Sequence, residues 1–131
     1  MAELEKTEKI TINLGLVDLG QIDLLVQEGF YSNRTDFIRT AIRTQLVTHA
    51  EVVKRTVASK TLVLGVQYYT RRDLEAVREA GEKLQINVLG LASIAEDVSP
   101  ELALATIDSV VVLGAFRASA AVKAALAGRI T

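Results

Sequence analysis

The 131-residue chain contains no cysteine and a single histidine, His49. The absence of cysteine excludes disulfides, thiol catalysis and cysteine-bound metal, and it suits a cytosolic protein. His49 has no neighbouring partners for a catalytic triad, and no glycine begins a G-x-G-x-x-G or G-x-x-x-x-G-K-[ST] phosphate loop. We therefore expect no enzyme, no metal and no cofactor.

Long apolar runs and an excess of basic charge are also missing. No run approaches the roughly 20 residues that span a bilayer, and the N-terminus lacks the basic and apolar regions of a signal peptide. We therefore expect a cytoplasmic protein without a membrane anchor. The net charge is -1, so any binding to nucleic acid must depend on where the cations lie. Half of the residues are apolar, which is enough for a substantial core.

An alternating segment at residues 9–14 predicts a strand with one apolar and one polar face. The apolar face carries Ile10, Ile12 and Leu14, and the polar face carries Lys9, Thr11 and Asn13. A lone strand needs a partner, and the most economical partner is the same strand of a second copy. The pair would form an antiparallel ribbon whose polar face fits a DNA major groove. The acidic residues before it, 1–8, predict a mobile arm.

Two amphipathic helical patterns follow the strand. The first covers residues 16–28, and Gly29 stands where a left-handed C-terminal cap is expected. The second begins with Asn33 as N-cap and Asp36 three residues later, a spacing similar to a capping box. Its apolar spacing continues into a helical linker at residues 49–60, with a break near the start of that linker.

The second half of the chain, residues 61–131, contains a threefold repeat. Each unit is an apolar strand that ends in Leu-Gly, and the glycines are Gly65, Gly90 and Gly114. A helix with cap chemistry follows each strand, beginning near residues 70–73, at Ser99-Pro100 and at Ser119. Two architectures remain open: a short solenoid that loosely resembles leucine-rich repeats, which the regular period favours, and an open three-stranded parallel sheet. Both predict parallel strands.

The first half resembles a known family. The strand at residues 9–14 and the connection Gly29-Phe30-Tyr31-Ser32-Asn33-Arg34 between the two helices are similar to the ribbon-helix-helix proteins of MetJ, Arc and CopG type, over residues 8–48. The resemblance implies that the polar strand residues, Lys9, Thr11 and Asn13, contact base edges. The free amides and dipole at the start of the second helix predict phosphate contacts by Asn33, Arg34 and Thr35. A nickel-sensing member would need several histidines, which argues against metal regulation.

The last repeat unit is poorer in charge than the first, which predicts that its apolar coil meets another subunit. The self-association residues predicted on this basis are Val111, Phe116 and Val122. The alternative is that the last, alanine-rich helix packs over its own coil.

These observations predict an α+β protein: a ribbon-helix-helix domain at residues 9–48, forming an intertwined dimer, followed by a small α/β repeat domain with parallel strands. The predicted function is a homodimeric, sequence-specific regulator that binds double-stranded DNA at the nucleoid, as a repressor, and forms higher-order oligomers through its C-terminal domain. Two alternatives remain: a polymer-forming or DNA-organising structural protein, and an antitoxin.

Overall fold

The structure is a computed structural model that describes residues 6–131, so residues 1–5 of the predicted N-terminal arm lie outside the described residues. The chain divides into two compact units, one containing Thr7–Thr56 and the other built around Val57–Thr131. Within the described residues the assigned strands all belong to the second unit, and helices occur in both. The fold is therefore α+β.

The first unit is helical, and its first helix ends as the sequence predicts. Gly29 follows this helix with a φ of +85°, and its N–H donates to the Val26 carbonyl at 3.1 Å. The Phe30 N–H donates to the Leu25 carbonyl at 3.0 Å, which completes a Schellman motif. The helices that begin in this unit are α1 (Leu16–Gln27), α2 (Arg34–Thr48) and α3 (Ala50–Ser59), the last of which continues into the second unit.

Helix α2 begins and ends at the predicted positions. The Asn33 side chain accepts a hydrogen bond from the Asp36 N–H at 2.8 Å, so Asn33 is the N-cap. The Asp36 carboxylate accepts in turn from the Ser32 N–H at 2.9 Å, one residue before the position that a regular capping box uses. His49 is the C-cap of α2, and α3 starts at the next residue, which confirms the predicted break.

The second unit contains a parallel sheet in which strands alternate with helices. The strands lie in the order β1-β2-β3 and both pairings are parallel, which confirms the predicted orientation. Strand order equal to chain order is common to the solenoid and to the open sheet that the repeat predicted. The elements are β1 (Val63–Tyr69), α4 (Arg71–Glu79), β2 (Leu84–Ile94), α5 (Pro100–Thr106), β3 (Ile107–Arg117), α6 (Ala120–Ala125) and a 3-10 turn (Ala127–Arg129).

The repeated glycines form one row across this sheet. Gly65 pairs in register with Gly90, and Gly90 with Gly114. All three have positive φ, +132°, +138° and +118° in chain order. A Cβ atom on Gly90 would overlap the carbonyl oxygen of Gly65, and one on Gly114 would overlap that of Gly90. The Leu-Gly repeat is thus explained by the positive φ at all three positions and, at Gly90 and Gly114, by a neighbouring strand that is too close for a side chain.

The three helices that follow the strands begin with the predicted caps. Thr70 and Asp73 form a full capping box at α4, with hydrogen bonds of 2.9 and 3.1 Å. Ser99 caps α5 with Pro100 at its first position, and Ser119 caps α6. These side chains satisfy backbone N–H groups that have no partner within the helix.

Helices α4, α5 and α6 cover one face of the sheet and enclose the hydrophobic core. The core lies between alternate residues of β2 and β3 and the inward faces of the helices. Its largest fully buried side chains are Leu74, Ile86, Val88, Thr106, Ile107, Val110, Val122 and Leu126. The second unit therefore has an interior of its own.

Candidate nucleic-acid interface

The predicted base-contacting residues lie in the segment that precedes α1. Residues 6–15 carry no regular secondary structure in the single chain, and all of them are exposed. A β-strand is defined by its hydrogen bonds to a neighbouring strand. A segment that pairs only with a second copy therefore shows no regular strand in the single chain. Lys9, Thr11 and Asn13 are accessible, and their placement in a ribbon stays a prediction.

The apolar residues of the first unit have almost no interior to occupy. Among residues 7–56, all of which the structure describes, Ile22 alone is buried, with 7% of its surface exposed. Ile10 is 78% exposed and Phe30 72%. Burying one large apolar side chain stabilises a fold by about 1.5–3 kcal/mol, so this unit forgoes most of the stabilisation that its composition offers. The other exposed apolar side chains include Ile12, Leu16, Val17, Leu24, Ile42, Leu46 and Val47.

The start of α2 presents the amides predicted to hold phosphate. The first turn of a helix has N–H groups without intrahelical acceptors, and Asn33 uses only the one of Asp36. The amides of Arg34 and Thr35, the first two residues of α2, remain at the positive end of the helix dipole. An edge-to-face contact between the rings of Tyr31 and Phe37, with centroids 5.0 Å apart, packs on the same connection. Local geometry thus allows Asn33 to cap the helix while the next two residues offer donors to an anion.

The guanidinium of Arg34 is already paired inside the chain. Its Nε and Nη2 donate to the two carboxylate oxygens of Asp23 at 2.7 and 2.8 Å. This fork lowers the pKa of Asp23, chiefly through the hydrogen bond from Arg34, and raises the pKa of Arg34. The pair connects α1 to the first turn of α2, and the Nη1 donors of Arg34 are not part of it. Sequence analysis missed this contact because the two residues are eleven positions apart and belong to different helices.

The charge of the first unit is balanced. Acidic and basic residues are equal in number between residues 7 and 56. A phosphate-binding surface here must therefore come from the position of individual cations and amides. Arg39 and Arg43, one turn apart on α2, are exposed and add positive charge beyond the helix start.

The predicted self-association residues do not share a surface. Val122 is fully buried in the core of the second unit, and Phe116 packs against that core. Val122 is therefore interior in the single chain, and the role of these three residues in self-association stays a prediction. Val111 is partly exposed and lies on the other side of the sheet, because side chains alternate between faces along β3.

An exposed apolar surface was missed. On the side of the sheet opposite the helices, Leu64 is 68% exposed and Leu113 is 52% exposed. The signal was present in the sequence, because β1 is apolar at neighbouring positions and so places apolar side chains on both faces. We call this surface the exposed sheet face, and it consists of Leu64, Val66, Tyr68, Leu89, Leu91 and Leu113, of which only Leu91 is buried.

Within residues 6–131, no group of three or more His, Asp or Glu side chains could hold a metal ion. In the same part of the chain, no helix is both long and apolar enough to cross a membrane.

Comparison with known proteins identifies a family. The model of a family described as the Ribbon-Helix-Helix transcriptional regulator family matches residues 5–123, which is most of the chain. No curated protein and no solved structure matches the chain significantly. The family match includes both the exposed first unit and most of the sheet unit.

Proposed function

The chain belongs to the ribbon-helix-helix transcriptional regulator family, and from this premise we propose that residues 9–48 are its ribbon-helix-helix domain and that two copies of this domain bind double-stranded DNA together. Residues 9–14 of the two copies pair as an antiparallel ribbon in the major groove. The regulator represses transcription by occupying its operator at the nucleoid.

The observation that carries this proposal is the missing interior of the first unit. One buried residue in a unit of this size cannot offset the loss of conformational entropy on folding. Pairing of two copies gives Ile10 and Ile12 a place between the strand pair and the helices, and it supplies the backbone partners that residues 9–14 lack. The exposure of these apolar side chains in the single chain is therefore what an intertwined dimer requires.

The hydrogen-bonding chemistry of each side chain indicates whether it contacts bases or phosphates. Lysine can donate to guanine acceptors, asparagine can pair bidentately with adenine, and threonine can bond to a base edge or contact a thymine methyl. Lys9, Thr11 and Asn13 thus read bases. At the start of α2, Asn33, Arg34 and Thr35 hold the phosphate backbone and set the register of the ribbon.

The experiment compares DNA binding of three variants after a bound fragment has been selected from genomic DNA. Thr11→Ala and Asn13→Ala should each reduce discrimination between the selected and a scrambled fragment by about 1–3 kcal/mol per lost base contact. Arg34→Ala should weaken binding to both fragments alike and lower the slope of log affinity against log salt by about 1. Fluorescence anisotropy at several salt concentrations measures both quantities.

Lys54→Ala is the matched control, because Lys54 is an exposed cation on α3, outside the proposed interface. It should leave both sequence preference and salt slope unchanged. If the strand variants keep full sequence preference, residues 9–14 are not the reading element and the proposed ribbon is wrong.

A second candidate is a DNA-organising structural protein, and the exposed sheet face favours it, since an assembling surface is what such a protein needs. An operator-specific regulator protects one fragment in a genomic selection, whereas an organising protein recovers fragments without a common sequence. The antitoxin alternative has less support, because a toxin-binding tail is typically disordered until bound, whereas the second unit has its own core.

A further inference from the structure

The exposed sheet face differs from the rest of the second unit in both polarity and charge. The opposite side of the sheet is covered by helices. One of these helices, α4, presents several charged side chains to solvent. Among the described residues of the three strands, the charged side chains are Asp108 and Arg117, near the two ends of β3. The middle of the face is therefore uncharged as well as apolar.

Strand β1 adds an unprotected edge to this face. It pairs with β2 on one side, contains neither charge nor proline, and exposes Leu64, Val66 and Tyr68. Edge strands in soluble proteins are commonly protected by charged residues, proline or a covering segment. The outer edge of β3 has such a cover, since Ile130 bridges to Val110 and the Thr131 N–H donates to the Val110 carbonyl at 2.9 Å. The outer edge of β3 is thus covered by the C-terminal residues, whereas the outer edge of β1 lacks these protective features.

We infer that the exposed sheet face docks against the same face of a second copy of this chain. Two sheets packed face to face lie about 10 Å apart with their side chains interdigitated, which would cover Leu64, Tyr68 and Leu113 on both copies. A docking mode through the β1 edge alone would leave Leu113, on the far strand, exposed.

A second copy fits this surface better than an unrelated protein for two reasons. When identical surfaces meet about a two-fold axis, residues at the centre of the surface approach their own copies, so a charge there would meet a charge of the same sign, and the centre of this face has none. The inference also rests on the proposed ribbon dimer, which would tether second units to one another. Tethering gives effective concentrations in the millimolar range, at which even a small apolar interface is occupied.

The exposed sheet face offers a small contact. Soluble monomers rarely expose a contiguous apolar patch larger than a few hundred Å². Four large side chains of this face are exposed by two fifths or more, three on β1 and Leu113 on β3. An interface made by these side chains would fall at the small end of stable protein contacts, below about 1,200 Å² in total. This agrees with a contact that operates between tethered partners.

Because the natural chain has no cysteine, single cysteines can report the contact in the full-length protein. Leu113→Cys places a thiol on the exposed sheet face. Leu104→Cys, the matched control, places one on α5, on the helix-covered side, at a leucine that is 37% exposed. With a bifunctional maleimide, Leu113→Cys should form covalent dimers about tenfold faster than Leu104→Cys, because docking raises the local concentration of the reacting groups.

Adding Leu64→Lys and Tyr68→Lys to the Leu113→Cys chain should lower its cross-linking rate to that of the control. Both substitutions lie at exposed positions, and circular dichroism verifies that the fold is kept. Equal rates for Leu113→Cys and Leu104→Cys would overturn the inference, as would a fast rate that survives the two lysines.

A fourth variant, Thr11→Cys, separates this inference from the proposed ribbon, because Thr11 lies on the polar face that stays accessible in a ribbon without DNA. Fast cross-linking at Thr11 with a slow rate at Leu113 leaves the ribbon standing and refutes docking through the sheet face. Fast cross-linking at Leu113 with none at Thr11 supports the sheet contact and refutes the ribbon. Slow cross-linking at both positions overturns both.

Discussion

Replacing Gly90 by alanine tests the glycine row that shapes the sheet. Gly90 has a φ of +138°, and a Cβ atom there would overlap the carbonyl oxygen of Gly65 on the neighbouring strand. Alanine must therefore change the backbone conformation, separate β1 from β2, or do both. Because both atoms of the contact belong to rigid backbone or to the first side-chain carbon, no rotamer change can relieve it.

The magnitude has two parts. A non-glycine residue held in this region of φ costs about 1–3 kcal/mol. Forcing extra volume into a packed contact costs a further 1–3 kcal/mol, roughly. Gly90→Ala should thus destabilise the second unit by about 2–6 kcal/mol, a large part of the 5–15 kcal/mol, roughly, that a domain typically has. Gly114→Ala should behave alike, since its Cβ would meet the Gly90 carbonyl oxygen.

Gly65→Ala is the control that separates the two parts. Gly65 has nearly the same φ, +132°, but a Cβ atom there would have no heavy atom within 4 Å. Gly65→Ala should therefore destabilise the second unit only by the cost of holding alanine at positive φ, about 1–3 kcal/mol. Urea unfolding followed by circular dichroism gives the free energies, and hydrogen exchange of β2 amides localises the loss. Equal destabilisation by Gly65→Ala and Gly90→Ala would refute the close approach of the strands.

Three further predictions concern single side chains. Arg129→Ala removes two 2.7 Å hydrogen bonds to carbonyls at the end of α5 and should cost about 1–3 kcal/mol in thermal unfolding. Hydrogen bonds from the Thr70 backbone and side chain lower the pKa of Asp73, so its contribution to stability should be present above about pH 4 and lost as pH falls further; Asp73→Asn should flatten that part of the urea-unfolding pH profile. Asp23→Asn removes the carboxylate that holds Arg34 and should tighten binding to the selected and the scrambled fragment alike; unchanged anisotropy titrations would show that the Asp23–Arg34 pair does not limit phosphate contact.

Local signals in the sequence predicted local structure well. The caps at Asn33, Ser99 and Ser119 and the helix end at Gly29 depend on residues within one turn of each other, and each is confirmed. The aligned strand-Leu-Gly units predicted parallel strands correctly, because equal strand-helix units stack most simply in chain order. Alternation over six residues identified the polar face of the segment at residues 9–14, whereas its base contacts are what the family resemblance implies, and they stay a prediction.

Local sequence signals could not predict contacts between segments that are distant in the chain. The pairing of Arg34 with Asp23 depends on how two helices cross, which no spacing rule specifies. Low charge in the last repeat suggested an exposed coil, but an alanine-rich helix can lie close to its sheet, so Val122 became interior. Of the predicted self-association residues, Val122 is interior, whereas Val111 lies on the side of the sheet opposite the helices.

Charge balance in the first unit gives the two proposed contacts a joint consequence. A ribbon dimer with equal acidic and basic charge gains little long-range attraction to DNA, so its affinity depends on the few cations and amides placed at phosphates. If sheet faces join two such dimers, the second ribbon binds at an effective concentration rather than from bulk solution, and apparent affinity rises about 10²–10⁴-fold without a new DNA contact. This gain exists only where two binding sites lie within reach of each other. Weak individual ribbons combined with an uncharged docking face therefore favour DNA with paired sites over single sites, and site spacing becomes part of what the protein recognises.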